Sequence, residues 1–229
     1  MLELNDPFWN KLRTMFGNER VPTLLSTLAA SWDDETASTL REELWHQNTC
    51  CGATYATVPH LLKIAEPEKN RHQRLEIALF LGLVTLDTDP RDQPKDEELR
   101  ALIVGCASEP VNASDLEKMR SIMVEFYSAL PAIRALCERA LLENREVDCY
   151  LLSGIAAADG LIGIARLLNM SSVYGDEGWF KCSSCGWGYS FIRFGELMAL
   201  YADTPRGAPY DDRGSSDLKD GAPFGPTAS

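Results

Sequence analysis

Apolar residues recur at helical spacing along most of the chain. Around residues 74–86, for example, Leu75, Leu79 and Leu83 are four residues apart, which places them on one face of a helix. Polar turns separate segments of this kind, at residues 31–35, 66–70, 109–113 and 143–146. The pattern predicts an all-α fold from about residue 8 to residue 172.

A short proline-containing motif repeats within this region. Val-Pro-Thr-Leu-Leu begins at Val21 and Val-Pro-His-Leu-Leu at Val58, 37 residues later, and a weaker copy, Leu-Pro-Ala-Ile, begins at Leu130. Proline is tolerated in the first turn of an α-helix, because the N–H that it lacks has no intrahelical partner there. Each copy is therefore predicted to begin a helix, with a turn and a second helix after it.

Two polar residues predict further helix starts. Ser114 and Glu117 fit the capping box, in which the two side chains satisfy free backbone N–H groups at a helix start. Asp159 precedes Gly160 and an apolar segment, and is predicted to be an N-cap.

These predicted helical hairpins resemble HEAT-like repeats, in which the first helix often holds an apolar-Pro-x-apolar element. The resemblance implies a short α-solenoid of four to five hairpins over residues 1–172. A solenoid buries its core between neighbouring repeats and offers a long concave face to partners. An irregular helical bundle, with the motif matches arising by chance, is the alternative.

The last quarter of the chain has a different composition. Residues 173–201 are rich in aromatic residues and glycine, and predict two short strands, at 179–182 and 187–192, followed by a short helix over 194–201. Residues 202–229 contain four glycines, four prolines and five aspartates, which predicts a mobile tail. We thus expect a helical repeat domain over 1–172, an aromatic hairpin with a short helix over 173–201, and a tail.

Cys182 and Cys185 form a C-x-x-C pair followed by Gly186, between the two predicted strands. This is the form of a zinc knuckle, in which two thiolates converge on one metal ion. A structural zinc site needs four ligands, usually from two such pairs, and the sequence has one pair. Three interpretations stay open: a bound zinc ion, a redox-active pair, and a packed hairpin with no cofactor.

A second cluster of chemically capable side chains lies in Leu44–His60, between two predicted hairpins. The residues expected to contact a partner are Trp45, His46, Gln47, Asn48, Tyr55 and His60. Aromatic anchors of this kind dominate interface energies. The alternative is a connection whose amides and hydroxyls cap helices internally.

This segment is similar to a stretch of uncharacterised bacterial helical-repeat proteins, of the form Trp/Tyr-His-Gln-Gly-Thr followed by Ser-Ala-Thr-Tyr-Ala-x-Val-Pro-His-Leu. Some proteins of this kind lie beside secreted polymorphic toxins and look like immunity proteins. The chain departs from the pattern at Asn48, where glycine is usual, and at Cys50, Cys51 and Gly52. The resemblance implies a role in binding a toxin.

The charge narrows the possible partners. The 229 residues include 22 basic and 34 acidic ones, a formal net charge of −12. General binding to nucleic acid or to anionic membranes needs a positive surface, so neither is expected. A basic protein fits better.

Catalytic and targeting motifs are absent from the sequence. It contains no G-x-S-x-G, P-loop, H-E-x-x-H or G-x-G-x-x-G motif and three histidines, so we do not expect an enzyme. It has no secretory signal pattern and no run of 18 apolar residues. An odd number of cysteines, seven, is typical of the reducing cytosol, so a cytoplasmic location is expected.

The function predicted from these patterns is a non-catalytic, cytosolic protein-binding module. Its most specific form is an acidic immunity protein that neutralises a cognate, basic bacterial toxin. The alternatives are a zinc- or thiol-dependent protein built on Cys182 and Cys185, and a general helical-repeat scaffold. The identity of the partner and the oligomeric state stay open.

Overall fold

The computed structural model describes residues 1–17, 20–46, 49–66, 70–88, 94–103, 110–144, 148–174, 177–181, 188–192 and 199–202, with side chains as far as residue 169. The chain divides into two compact units, Met1–Ala165 and Arg166–Ser229. This boundary lies seven residues before the one expected at residue 172.

The first unit is mostly helical. After a 3-10 turn at Pro7–Lys11, its helices are α1 (Val21–Ala30), α2 (Asp34–Leu44), α3 (Gly52–Ala65), α4 (Arg71–Asp87), α5 (Asp96–Ile103), α6 (Ala113–Glu143) and α7 (Cys149–Ala158). Helix α8 (Ile162–Tyr174) begins in the first unit and ends in the second. Two short strands, β1 (Trp45–His46) and β2 (Thr49–Cys50), connect α2 to α3. The predicted helical class is confirmed, with a small sheet added.

Side-chain caps account for several helix starts. The carboxylate of Asp33 accepts a hydrogen bond from the backbone N–H of Thr36 at the start of α2, at 2.8 Å. Asn112 caps α6, and its side chain and that of Asp115 each bond the other's backbone N–H. Such caps contribute about 1 kcal/mol each. The capping box therefore lies two residues before the predicted one at Ser114.

Asp159 is not the predicted N-cap. It follows the last residue of α7 and stands at its C-terminal end. Its carboxylate accepts a hydrogen bond from Nε of Arg134, at 3.0 Å. Asp159, which the local sequence predicted to start a helix, is therefore held at the end of α7 by Arg134 of α6.

The three proline motifs do not occupy equivalent positions. Pro22 is the second residue of α1, as predicted. Pro59 and Pro131 lie inside α3 and α6, so the helix starts predicted there are wrong. An internal proline costs about 3 kcal/mol, and burial of neighbouring apolar side chains offsets that cost: Val58 beside Pro59 and Ile133 two residues after Pro131 are fully buried.

Helix α6 is 31 residues long and occupies the centre of the first unit. It packs against four other helices, α3, α4, α5 and α7. Its inward-facing side chains include Met119 and Phe126, both fully buried. The predicted hairpin boundary at residue 131 is thus replaced by one continuous helix.

Helices α4 and α7 approach each other closely where two glycines meet. A Cβ atom built on Gly154 would lie 2.7 Å from the Cα atom of Gly82 and 3.1 Å from Sγ of Cys137. These distances are shorter than ordinary van der Waals contact. Glycine at this crossing is therefore required by packing.

The second unit contains a three-stranded antiparallel sheet in the order β3-β4-β5 (Glu177–Lys181, Gly188–Ile192 and Ala199–Ala202). Glu177 pairs with Ile192, and Lys181 with Gly188. The predicted hairpin is confirmed. The short helix predicted over 194–201 is wrong at 199–201, because these residues belong to β5. Residues 203–229 of the predicted tail lie outside the described residues. In the described part of the chain, no helix is both long and apolar enough to cross a membrane.

Candidate functional site

The segment predicted to contact a partner forms a small hairpin between α2 and α3. Strand β1 pairs with β2 in antiparallel register, Trp45 with Cys50 and His46 with Thr49. Gln47 and Asn48, two of the predicted contact residues, lie outside the described residues.

Two of the predicted contact residues point into the fold. Tyr55 and His60 are each 7% exposed. The Tyr55 hydroxyl bonds Oγ1 of Thr88 at 3.0 Å, and its ring packs edge-on against Phe126. Burial raises the pKa of the Tyr55 phenol. In this conformation its side chain stabilises the core and is not available to a partner.

His60 connects α3 to the start of the chain. Its Nε2 donates to the carbonyl oxygen of Leu2 at 2.9 Å, and its ring lies 6.1 Å from that of Trp9. Burial lowers the pKa of His60, which favours the neutral imidazole. The residue therefore holds the N-terminal segment in place.

Trp45 is half-buried and fixed by a carboxylate. Its indole Nε1 donates to Oδ2 of Asp87, at the end of α4, at 2.6 Å. The bond connects β1 to α4 and leaves part of the indole ring on the surface.

Among the predicted contact residues that the structure describes, His46 is the exposed one. It stands beside an aromatic residue that the sequence did not single out. Phe16 is 64% exposed. Its ring lies edge-on to the His46 imidazole, with 6.0 Å between ring centroids. We call these two residues the Phe16–His46 pair.

The backbone around Phe16 is held in place. The N–H of Met15 donates to the carbonyl of Glu43 at 2.9 Å. Gly17 has a φ of 71°, a left-handed conformation that glycine adopts at little cost. The aromatic residue followed by glycine, outside any helical pattern, was the available signal for an anchored loop.

The cysteines near the hairpin have structural roles. Sγ of Cys51 contacts Oγ1 of Thr54 at 3.1 Å, at the start of α3. Burial raises the pKa of the Cys50 and Cys51 thiols, which disfavours the nucleophilic thiolate. Cys182 and Cys185 lie outside the described residues. Within the described part, no group of three or more histidine, cysteine or acidic side chains is arranged to hold a metal ion.

A cleft of about 220 Å³ opens beside α2 and α4. We call it the α2–α4 cleft. Its apolar lining comes from three helices besides α2: Leu28, Leu61, Ile77 and Phe80, with Ala37 and Leu40 from α2 itself. Its polar lining consists of Trp32, Asp34, Ser38, Arg41, His72 and Glu76.

One carboxylate organises the polar side of the cleft. Oδ1 of Asp34 accepts hydrogen bonds from Nε1 of Trp32 at 2.7 Å and from Nε2 of His72 at 3.1 Å. A carboxylate has no proton to offer, so the imidazole is the donor. Beside them, Nη1 of Arg41 lies 3.3 Å from Oε2 of Glu76.

Comparison of the chain with protein-family models, curated proteins and solved structures gave no match.

Proposed function

We propose that the chain is a non-catalytic protein-binding module that uses the Phe16–His46 pair as its anchor. The observation that carries the proposal is a phenyl ring that is 64% exposed and held against an imidazole. Covering such a ring contributes about 1.5–3 kcal/mol when it is fully buried. The hydrogen bond from the N–H of Met15 to Glu43 restrains the backbone next to Phe16, which reduces the entropy that binding costs.

The most specific form of this proposal is a cytosolic immunity protein that blocks a basic toxin. The net charge of −12 supports a basic partner, because opposite charges steer association. The association rate is then expected to fall about tenfold between low salt and roughly 0.3 M salt. An unchanged rate would contradict electrostatic steering.

We also propose that the first four helices form two HEAT-like hairpins. Helix α1 packs on α2, α3 packs on α4, and the two first helices, α1 and α3, pack on each other. This arrangement supports stacking of the two hairpins and places the β1–β2 connection between them.

Co-expression with the product of the adjacent reading frame tests the immunity proposal. If the neighbour kills a laboratory bacterium, co-expression of this chain should restore survival. The variant Phe16→Ala should reduce survivors at least tenfold. Leu142→Ala is the matched control, since Leu142 is another large apolar side chain, 86% exposed on α6, and should protect like the wild type.

Three outcomes would overturn the proposal. A neighbouring product that is harmless, or that still kills when this chain is co-expressed, would exclude the immunity role. Full protection by Phe16→Ala would exclude the Phe16–His46 pair as the anchor.

A further inference from the structure

The α2–α4 cleft is a second candidate binding site, and neither Phe16 nor His46 lines it. We propose that this cleft binds a peptide segment of a partner in which an aromatic or leucine side chain lies next to a lysine or arginine. The apolar side chain enters the cleft and the basic group bonds Asp34. The inference does not depend on the role proposed for the Phe16–His46 pair.

The size and floor of the cleft fit a single apolar side chain. Its volume is about 220 Å³, whereas an apolar cavity of roughly 150 Å³ in another protein takes up benzene. Its apolar lining includes Leu28 of α1, Leu40 of α2, and Ile77 and Phe80 of α4. A phenyl or isobutyl group that binds there moves from water into contact with apolar side chains, and this transfer favours binding.

The hydrogen bonds of Asp34 determine which charge the ligand carries. Both bonds, from Trp32 and His72, go to Oδ1, and no described residue bonds Oδ2. The Asp34 side chain is 68% exposed. Two donors thus orient a carboxylate whose second oxygen is accessible to an ammonium or guanidinium group of a ligand.

The other charges around the cleft favour a cation as well. Arg41 is the permanent cation in the lining, and its guanidinium group is already paired with Glu76. Asp33 and Glu35, which flank Asp34, are both exposed. In the lining, two carboxylates, those of Asp34 and Glu76, stand against one guanidinium group, that of Arg41.

Titration with short peptides tests the inference. The probe is acetyl-Lys-Phe-Lys-Lys-amide. One comparison peptide has glycine in place of phenylalanine, and the other has glutamate in place of each lysine. The readout is the NMR signal of the Trp32 indole N–H, assigned with Trp32→Phe. We expect a saturable shift with the probe and affinities at least tenfold weaker for both comparison peptides.

Three variants locate the bound peptide. Ser38→Trp fills the cleft and should abolish binding, as followed by shifts of the peptide's own signals. Ser128→Trp makes the same change at an exposed position on α6 outside the cleft and should leave the affinity unchanged. Asp34→Asn keeps the shape of the side chain and one acceptor oxygen but removes the charge. It should weaken peptide binding at least fivefold. Because Asp34 is exposed, the change should not unfold the protein.

Several results would overturn the inference. If the glycine peptide bound as tightly as the probe, charge attraction alone would account for binding and the apolar cleft would have no part in it. Unchanged binding by Ser38→Trp or Asp34→Asn would place the peptide elsewhere, and absence of binding would reject the site. Phenethylamine binding as tightly as the peptide would identify a site for small amines. Phe16→Ala should bind the probe like the wild type, which separates this test from that of the proposed function.

Discussion

Arg74 and Glu143 join the first turn of α4 to the last turn of α6 through two parallel hydrogen bonds. Nε and Nη2 of Arg74 each lie 3.0 Å from a different carboxylate oxygen of Glu143. The Arg74 side chain is 2% exposed. Two bonds of this geometry are the strongest form of an arginine–carboxylate contact, and here they fix two central helices at one end.

Removing the charge of Glu143 should destabilise the protein strongly. In Glu143→Gln the buried guanidinium group of Arg74 loses the carboxylate that accepts two of its hydrogen bonds, and we expect a loss of about 3 kcal/mol in the free energy of unfolding. Glu138→Gln is the matched control on the same helix, because the ion pair of Glu138 with Arg134 is exposed and such pairs contribute at most about 1 kcal/mol. Urea unfolding measures both. Equal losses in the two variants would show that the buried ion pair contributes no more to stability than the exposed one.

His60 should make stability fall as the pH drops below about 6.5. Its pKa is lowered in the folded chain because burial disfavours the charged ring, whereas the unfolded chain keeps a value near 6.5. The stabilisation is therefore complete above the unfolded value and is lost as the pH falls through the folded one.

The variant His60→Gln tests this dependence. Glutamine can donate to the carbonyl of Leu2 but does not titrate, so its urea midpoint should fall less than that of the wild type between pH 7 and about 5. His72→Gln changes an exposed histidine and should retain the wild-type dependence. If His60→Gln and the wild type follow the same curve, the buried imidazole is not the titrating group.

The crossing of α4 and α7 should not tolerate a methyl group. Gly154→Ala places a Cβ 2.7 Å from the backbone of Gly82, and we expect a loss of about 1–3 kcal/mol from overpacking. Gly163→Ala is the control, because a Cβ built there meets nothing within 4 Å and alanine favours the helix. Thermal unfolding should show a lower Tm for Gly154→Ala alone. A wild-type Tm for that variant would mean that the two helices separate without cost.

Zinc binding at Cys182 and Cys185 stays a prediction with a direct test. If these thiolates are ligands, protein purified without chelator should contain about one zinc per chain, or one per two chains if a dimer shares it. The double variant Cys182→Ser, Cys185→Ser should lose the metal. Cys137→Ser, which changes a buried cysteine of α6, should retain it. Metal-free wild-type protein would end the zinc interpretation.

The sequence predicted the helices more accurately than their boundaries. The apolar spacing over 74–86 matches α4, because a repeating apolar face is a local property. Pro59 and Pro131 misled the prediction, since their local preference for a helix start is outweighed by packing against helices distant in sequence. No pattern confined to one segment contains that information.

At the candidate site, too, packing between distant segments decides which of the predicted residues are exposed. The sequence grouped Trp45, His46, Tyr55 and His60 by chemical type, but exposure depends on which neighbours cover each side chain. Tyr55 is covered by Phe126 from α6, whereas His46 stays at the surface. Phe16 lies 30 residues from His46 in the chain, and backbone hydrogen bonds such as that between Met15 and Glu43 bring its loop to the hairpin.

The central position of α6 determines how the first unit can come apart. In a linear array each repeat contacts its neighbours alone, so a terminal repeat can fray while the others remain folded. Here one helix supplies a packing surface to α3, α4, α5 and α7 together. Loss of that helix would expose all four at once, and we therefore expect α3, α4, α5, α6 and α7 to unfold together. A translation product that ends before residue 113 would lack this shared packing surface. We expect proteases to degrade it without leaving a stable fragment.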